Sequence, residues 1–331
     1  MKTHRPSTSI RWGIIGCGDV TEVKSGPAYQ HTEHFELSAV MRRDKHKAQD
    51  YAARHNIKNH YTQADSIIFN DDIDAIYIAT PPDTHKFYGL QVATAGKPCC
   101  IEKPLAVNYQ DSLSIYQAFE HTNTPLFVAY YRRSLPRFNK IKSLIDAGEV
   151  GEIRHIQWQL SRPPNSVDSS GQSQWRTDKN IAPGGYFDDL ACHGLNLFAY
   201  LLGDFIQVEG MGFNQQGLYS AFDAVSACWS HSNNITGCGY WNFSCHHKQD
   251  KVDILGSSGT ISFSVFEEAS ITLSTAQRQE DIFIANPNPI QLYHVLNMKE
   301  QLINRIKHPS DGKSALHTSW VMDKILGGIA P

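Results

Sequence analysis

The chain lacks any marked excess of charge. Its 30 Lys and Arg stand against 33 Asp and Glu, a formal charge of -3, too near neutral for a basic nucleic-acid face or an acidic solvating tail. It also lacks cysteines at CxxC spacing: the seven present lie at 17, 99, 100, 192, 228, 238 and 245. An odd count without paired spacing argues against a disulfide framework or a structural zinc centre and favours a reducing compartment. No run approaches the ~18 apolar residues that cross a bilayer. The opening MKTHRPSTSIRWG has no apolar stretch of the signal-peptide kind. A cytoplasmic protein with no membrane or nucleic-acid partner is the expectation. Internal repeats and low-complexity segments are absent too.

What is present is an alternation of short apolar runs with helical spacing. At roughly 100–200 residues per domain, 331 residues make two domains. Residues 1–9 read as a polar, disordered tail. Apolar runs at 11–15, 37–41, 73–79, 99–101 and 126–129 alternate with helical stretches such as 45–55, 87–95 and 112–120. Continuous apolar strands are the mark of a parallel sheet buried on both faces, and their alternation with helices gives βαβ units. Residues 10–130 are therefore predicted as an N-terminal Rossmann domain, a doubly wound parallel sheet in an α/β protein.

The pattern changes near residue 130. A helix is predicted over 136–147, an alternating strand over 152–161, a polar irregular stretch over 165–180, and a helix over 185–202. From 207 to 275, Val, Ile, Phe, Thr and Ser recur between turn residues, which predicts consecutive antiparallel strands. A last helix covers 314–326. Residues 131–331 are thus expected to form a C-terminal α/β domain with a large, mostly antiparallel open sheet. Few helices remain to cover the sheet's second face. An exposed apolar face there is expected to pair with another copy, giving a homodimer or higher homo-oligomer.

Gly16-Cys17-Gly18 closes the first strand. Gly16 permits a sharp turn. Gly18 lets the backbone approach a pyrophosphate resting on the amides of a helix N-terminus, where Asp19 and Val20 follow. Thr21 occupies the place of the motif's third small residue. The second strand ends in Arg42-Arg43-Asp44. An acid at this tip serves the ribose 2′-hydroxyl of NAD. Two guanidinium groups suit a 2′-phosphate. NADP is the expected cofactor; NAD, through Asp44, is the alternative.

Four ordered segments carry a family resemblance: Ile14-Ile15-Gly16-Cys17-Gly18, Ala79-Thr80-Pro81-Pro82-Asp83-Thr84-His85, Glu102-Lys103-Pro104, and Gly184-Gly185 followed by Asp189-Leu190-Ala191-Cys192-His193. With them the chain resembles the Gfo/Idh/MocA family, the glucose–fructose oxidoreductase and inositol dehydrogenase relatives. The resemblance implies an NAD(P)-dependent dehydrogenase or reductase acting on CH–OH groups of a sugar, cyclitol or related polyol. It implies cofactor contacts from Thr80, Pro81, Pro82, His85 and Glu102, and an active-site Lys103 shared between cofactor and substrate. Thr21, Ala191 where a glycine is common, and Asn196 where many members carry an acid depart from the pattern and leave the exact substrate open.

Alcohol oxidation needs a base for the hydroxyl proton. Asp189 and His193 are four apart in a helical stretch and share one face. Imidazole titrates near neutral pH and suits proton transfer, with the carboxylate to orient it or to hold substrate hydroxyls. Lys103 follows a strand's C-terminal end, where open α/β sheets place ligands, and its ammonium can stabilise an alkoxide. Either Lys103 or His193 is the proton-transfer group. Trp175, Arg176, Asn196 and, after the fifth strand, Tyr131, Arg132 and Arg133 are accessory substrate candidates. No metal site is expected: His231, Cys228, Cys238 and Cys245 lie in apparent strands without zinc spacing, and His246-His247 point to opposite faces if on a strand. Two other functions use the same fold. One is a sugar lyase or hydrolase that oxidises transiently with no net redox. The other is a non-catalytic NAD(P)-sensing regulator, which would not need the Lys103, Asp189 and His193 set.

Overall fold

The computed structural model describes residues 9–170 and 174–327. The tail expected at 1–9 lies, for residues 1–8, outside the described residues. In chain order the first elements are β1 (Ile10–Ile15), α1 (Asp19–Val23), α2 (Gly26–His31), β2 (Phe35–Met41), α3 (Lys45–Arg54), β3 (Asn59–Tyr61) and α4 (Asp65–Ile68). β4 (Ala75–Ile78), α5 (His85–Thr94), β5 (Cys99–Ile101), α6 (Tyr109–Thr122) and β6 (Leu126–Val128) complete this set. Then come α7 (Pro136–Asp146), β7 (Ile153–Ser161), α8 (Ser166–Ser169), α9 (Tyr186–Leu202), β8 (Phe205–Phe213), β9 (Ala224–His231), β10 (Thr236–Asn242) and β11 (Gln249–Gly256). β12 (Gly259–Phe263), β13 (Ile271–Thr275), β14 (Gln279–Ile282), α10 (Leu292–Asn304) and α11 (Gly312–Ile325) end the chain.

By packing, the chain divides into two units. The first runs to Ala106 and takes in Gln110–Tyr131 and Pro287–Lys313; the second holds Val107–Tyr109, Arg132–Asn286 and the stretch from Ser314. The first unit is a six-stranded sheet in the order β3-β2-β1-β4-β5-β6, and all its pairings are parallel. The continuous apolar runs follow from that topology. Ala75–Ile78 is buried at every position, because helices cover both faces of a parallel sheet and no residue is left to face water. The strand order reverses at β1 and β4, the place where such sheets form a crevice at their strand ends.

The second unit is an eight-stranded sheet in the order β14-β13-β12-β11-β7-β10-β9-β8. Only β10 and β7 pair in parallel; the other neighbours are antiparallel. Trp158, Trp229 and Trp241 face inward and meet edge-on or stacked with Phe198 and Phe187 of α9. Residues alternating with them face out, such as Gln157 and Gln159 on β7, Ser226 and Cys228 on β9, and Tyr240 and Asn242 on β10. This outer face is largely polar, unlike the apolar surface expected; exposed apolar side chains collect on β8, as Met211 and Phe213.

Other differences have local causes. The Asn242 side chain accepts hydrogen bonds from the amide and hydroxyl of Ser244, an Asx turn that ends β10. Cys245, His246 and His247 therefore sit in the connection to β11 rather than on a strand. Within the irregular stretch, Asn165 caps α8 through the amides of Val167 and Asp168. Among the described residues, no helix is long and apolar enough to cross a membrane.

Candidate active site

The crevice of the first unit forms because two turns come within contact. Gly16 has φ +92°, and a Cβ there would lie 2.9 Å from the Thr80 backbone nitrogen. Only glycine tolerates both that dihedral and that approach. The Gly16 amide donates to the Met41 carbonyl at 2.9 Å, so the loop leans on the β2 tip. Thr21 has a clear local role: its hydroxyl accepts from the Gly18 amide at 3.0 Å and donates to the Gly18 carbonyl at 2.7 Å. It closes the turn from within, and α1 ends after five residues.

A cleft of about 360 Å³ opens here, lined by Gly16, Cys17, Gly18, Met41, Arg42, Arg43, Asp44, Lys47, Ala79, Thr80, Pro81 and Tyr88. It gathers the predicted Gly16, Gly18, Arg42, Arg43, Thr80 and Pro81. Asp19 and Val20 stand beside it on the first turn of α1. Arg42 reaches across to donate to the Cys17 carbonyl at 3.0 Å, while Arg43 is exposed. Asp44 caps α3 by accepting from the Lys47 amide at 3.1 Å, and such amide donors hold its carboxyl below the ordinary range. Lys47 and Tyr88 carry no motif; Lys47 enters the cleft because it is one helical turn past the capping Asp44.

Pro82 and His85 lie buried behind this surface. The ring nitrogens of His85 sit 3.0 Å from the Pro104 carbonyl and 2.8 Å from the Thr80 carbonyl. One buried imidazole thus lies between the Thr80 turn and the turn after Lys103, donating to one carbonyl when neutral, and burial pushes its pKa down. Glu102 is also buried. Its Oε1 accepts from the Tyr77 hydroxyl at 2.6 Å and from Gln291 Nε2 at 3.1 Å, and its Oε2 from the Lys103 amide at 3.2 Å. Gln291 precedes α10, and its amide donates to the Lys24 carbonyl. Lys103 is half-buried where the chain leaves β5.

In the second unit, α9 carries Asp189 and His193 one turn apart, both buried. Arg176 Nε donates to Asp189 Oδ2 at 2.7 Å. The Arg176 guanidinium stacks over the Trp175 ring, 4.3 Å from its centroid, so Trp175, Arg176 and Asp189 form one cluster. The His193 ring meets the Phe266 ring edge-on, centroids 5.9 Å apart. Asp188 has no counterpart in the predicted set. Its Oδ2 accepts from the Gly184 amide at 2.8 Å, and burial, with Asp323 and Asp189 nearby, pushes its carboxyl up to about 7.

Asn196 lies in the interior: its Oδ1 accepts from Arg133 Nε at 2.6 Å and its Nδ2 donates to Thr318 at 2.9 Å. Arg132, also buried, donates to the Val265 carbonyl and lies over Phe266. Tyr131 is buried and ends the Gln110–Tyr131 segment of the first unit. Among the described residues, no group of three or more His, Cys, Asp or Glu side chains is arranged to hold a metal ion.

Residues 10–130 match the model of an oxidoreductase family with an NAD-binding Rossmann fold, and residues 138–262 match the GFO/IDH/MocA C-terminal domain. An oxidoreductase of Formosa agariphila is 35% identical over 319 residues, covering 96% of this chain and 98% of that protein. A levoglucosan dehydrogenase of Pseudarthrobacter phenanthrenivorans is 32% identical over 164 residues, 50% of this chain and 42% of the relative. A solved levoglucosan dehydrogenase, in complex with NADH and levoglucosan, superposes with a TM-score of 0.83 at 21% identity over 96% of each chain. The WlbA dehydrogenase of Bordetella pertussis, in complex with NADH and UDP-GlcNAcA, gives 0.82 at 20% identity, covering 96% of this chain and 94% of its own. At these identities the solved structures speak to the fold alone. Two family models in tandem and a relative matched almost end to end point the same way: the chain belongs to the GFO/IDH/MocA family of NAD(P)-binding oxidoreductases.

Proposed function

We propose that the protein is an NADP(H)-preferring dehydrogenase or reductase of a sugar, cyclitol or related polyol. The observation that carries this reading is α9, which holds Asp189 and His193 on one buried face with Arg176 bound to the carboxylate, in a chain whose first unit has the dinucleotide crevice. A pure sensor of the cofactor has no use for that cluster. The first unit fits the cofactor: the Gly16 turn admits close backbone approach, and Arg42, Arg43 and Lys47 line the cleft with positive charge. Gly18, Asp19 and Val20 would hold the pyrophosphate, Arg42 and Arg43 the 2′-phosphate, and Thr80 and Pro81 the remainder; Pro82, His85 and Glu102, assigned to the cofactor by the resemblance, would support these turns from behind. The bound nicotinamide supplies or receives the hydride.

The chain's own residues handle the proton and the charge. His193 accepts the proton of the reacting hydroxyl in oxidation and returns it in reduction. Asp189, held by Arg176, orients His193 or a neighbouring substrate hydroxyl. Lys103 stabilises negative charge that develops on the reacting oxygen. Substrates with several hydroxyls suit this set of carboxylate, imidazole and guanidinium donors and acceptors, of the kind named in relatives such as levoglucosan and inositol dehydrogenases. Seven free thiols suit the reducing cytoplasm.

Four outcomes follow. Calorimetry should find NADP(H) bound more tightly than NAD(H), and Arg42→Ala or Arg43→Ala should cost NADP(H) about tenfold in affinity while sparing NAD(H); equal or tighter binding of NAD(H) by the unmutated protein contradicts the preference. His193→Ala should lower kcat by ~10²–10⁴ and leave dinucleotide affinity unchanged. Lys103→Ala should lower kcat on the order of 10²–10³. Near-full turnover in His193→Ala removes its proton-transfer role. Finally, self-association is proposed through the β8 end of the eight-stranded sheet, where Met211 and Phe213 are exposed on an otherwise polar face. Sedimentation should show a dimer or larger species at micromolar concentration, and a monomer throughout would count against it.

A further inference from the structure

Phe266 belongs to no motif, yet the second unit invests an unusual amount of buried charge in holding it. It follows β12 in a turn whose next residues, Glu267 to Ala269, are exposed. Ordinary surface turns are held by their own backbone and a Gly, Pro or Asn. This one has a local brace, the Ser264 hydroxyl accepting from the Phe266 and Glu267 amides, and in addition three charged side chains from elsewhere. Asp250 accepts from the Phe266 amide at 2.7 Å, from Trp158 Nε1 at 2.9 Å, and from the Ser264 hydroxyl. Arg132 Nε donates to the Val265 carbonyl at 3.0 Å. Arg137 donates to the carbonyls of Ser264 and Glu267 at 3.0 and 2.5 Å. Both arginines are buried, at 5% and 2% exposure. Buried guanidinium groups are costly unless they are paired or hydrogen-bonded, and here backbone carbonyls of one turn receive them.

The turn presents a single half-buried ring. Phe266 lies beneath the Arg132 guanidinium, 4.5 Å from ring centroid to Cζ, and against Trp158 with centroids 6.3 Å apart. Its third neighbour is His193, met at an interplanar angle of 84°. Trp158 in turn packs so close to α9 that any side chain at Gly194 would run into its ring. The residue after His193 is thus fixed by the same tryptophan that backs Phe266.

We infer that Phe266 is a positioning residue for His193: the turn anchored by Asp250, Arg132 and Arg137 sets the Phe266 ring against the imidazole and holds it in its reactive orientation. A proton-transfer group must be held to about 0.5 Å and 10–20° of its productive geometry, which takes packing against its ring as well as hydrogen bonds. An edge-to-face aromatic contact restrains both the position and the tilt of an imidazole. The inference rests on the proton-transfer role proposed for His193.

The test combines kinetics with chemical labelling of the intact protein. Phe266→Ala should lower kcat by roughly 10- to 100-fold, the scale of a small misplacement, with KM little changed. Phe266→Tyr, which keeps the ring, should restore most of the rate. In parallel, diethyl pyrocarbonate labelling read by mass spectrometry should show His193 modified several-fold faster in Phe266→Ala, while the exposed His246 and His247 react as before. Phe266→Leu keeps apolar bulk without a ring and takes the place of the alanine variant if that fails to fold; it should give the same direction in both readouts. Unchanged His193 labelling overturns the inference even if kcat falls, because Phe266 would then act elsewhere. Unchanged kcat with faster labelling overturns it too, because the contact would only shield. Retained turnover in His193→Ala would instead refute the role of His193, and the labelling arm would still report whether Phe266 holds the ring.

Discussion

Everything in the first unit depends on how closely two turns approach. The loop after β1 and the turn after β4 meet so tightly that a Cβ at Gly16 would stand 3.0 Å or less from the backbone at Ala79 and Thr80. That contact exists because β1 and β4 are neighbours at the point where the strand order reverses. It brings the Gly16 loop, the Arg42 tip and the Thr80-Pro81 turn around one cleft. It also explains why the support behind the cleft is polar. His85 sits between two carbonyls, and Glu102 gathers Tyr77, Gln291 and the Lys103 amide. These buried groups fix the backbone from which the cofactor-facing residues project, and a buried polar network specifies one arrangement only when its members find partners.

The second unit uses a different constraint for a similar end. Its core is aromatic: three tryptophans of the sheet pack on α9, and Gly194 lets Trp158 come in against the helix. This close packing fixes the rotation of α9, which decides that Asp189 and His193 share its buried face with Arg176 and Phe266 as neighbours. Asn196, one turn further on, is directed to Arg133 and Thr318 instead. Three residues at helical spacing thus have different surroundings, set by what the helix packs against.

How much of this was legible beforehand follows from which forces leave a local trace. The parallel sheet was legible because burial on both faces makes runs such as Ala75–Ile78 continuously apolar. The Gly16-Cys17-Gly18 turn was legible because a positive φ and a close backbone approach demand glycine. The strands from β8 to β13 were legible as a group, from the Val, Ile, Phe, Thr and Ser recurring between turn residues. Gln291 was not: it meets Glu102 across 189 residues, and a contact of that separation has no period to detect. For the same reason nothing marked residues 287–313 as packing with the first unit. Phe266 and Asp250 read as ordinary strand and turn residues, since their importance lies in three distant charged groups meeting one turn. Asp188 was overshadowed by its neighbour Asp189, and their partners separate them: the Gly184 amide for Asp188, the Arg176 guanidinium for Asp189. The outer face of the large sheet was expected to be apolar because few helices remained to cover it; alternation sends the large apolar side chains inward and leaves polar ones outside.

The central claim is net hydride transfer on a polyol with this chain's own proton-handling residues. It is tested most directly by offering the purified protein a panel of sugars, cyclitols and related polyols with NADP⁺ and with NAD⁺, and following nicotinamide absorbance. The account predicts stoichiometric reduction of the cofactor with at least one polyol, faster with NADP⁺. A substrate converted to product with no lasting change in the cofactor, or firm dinucleotide binding with no turnover on any polyol, would contradict it.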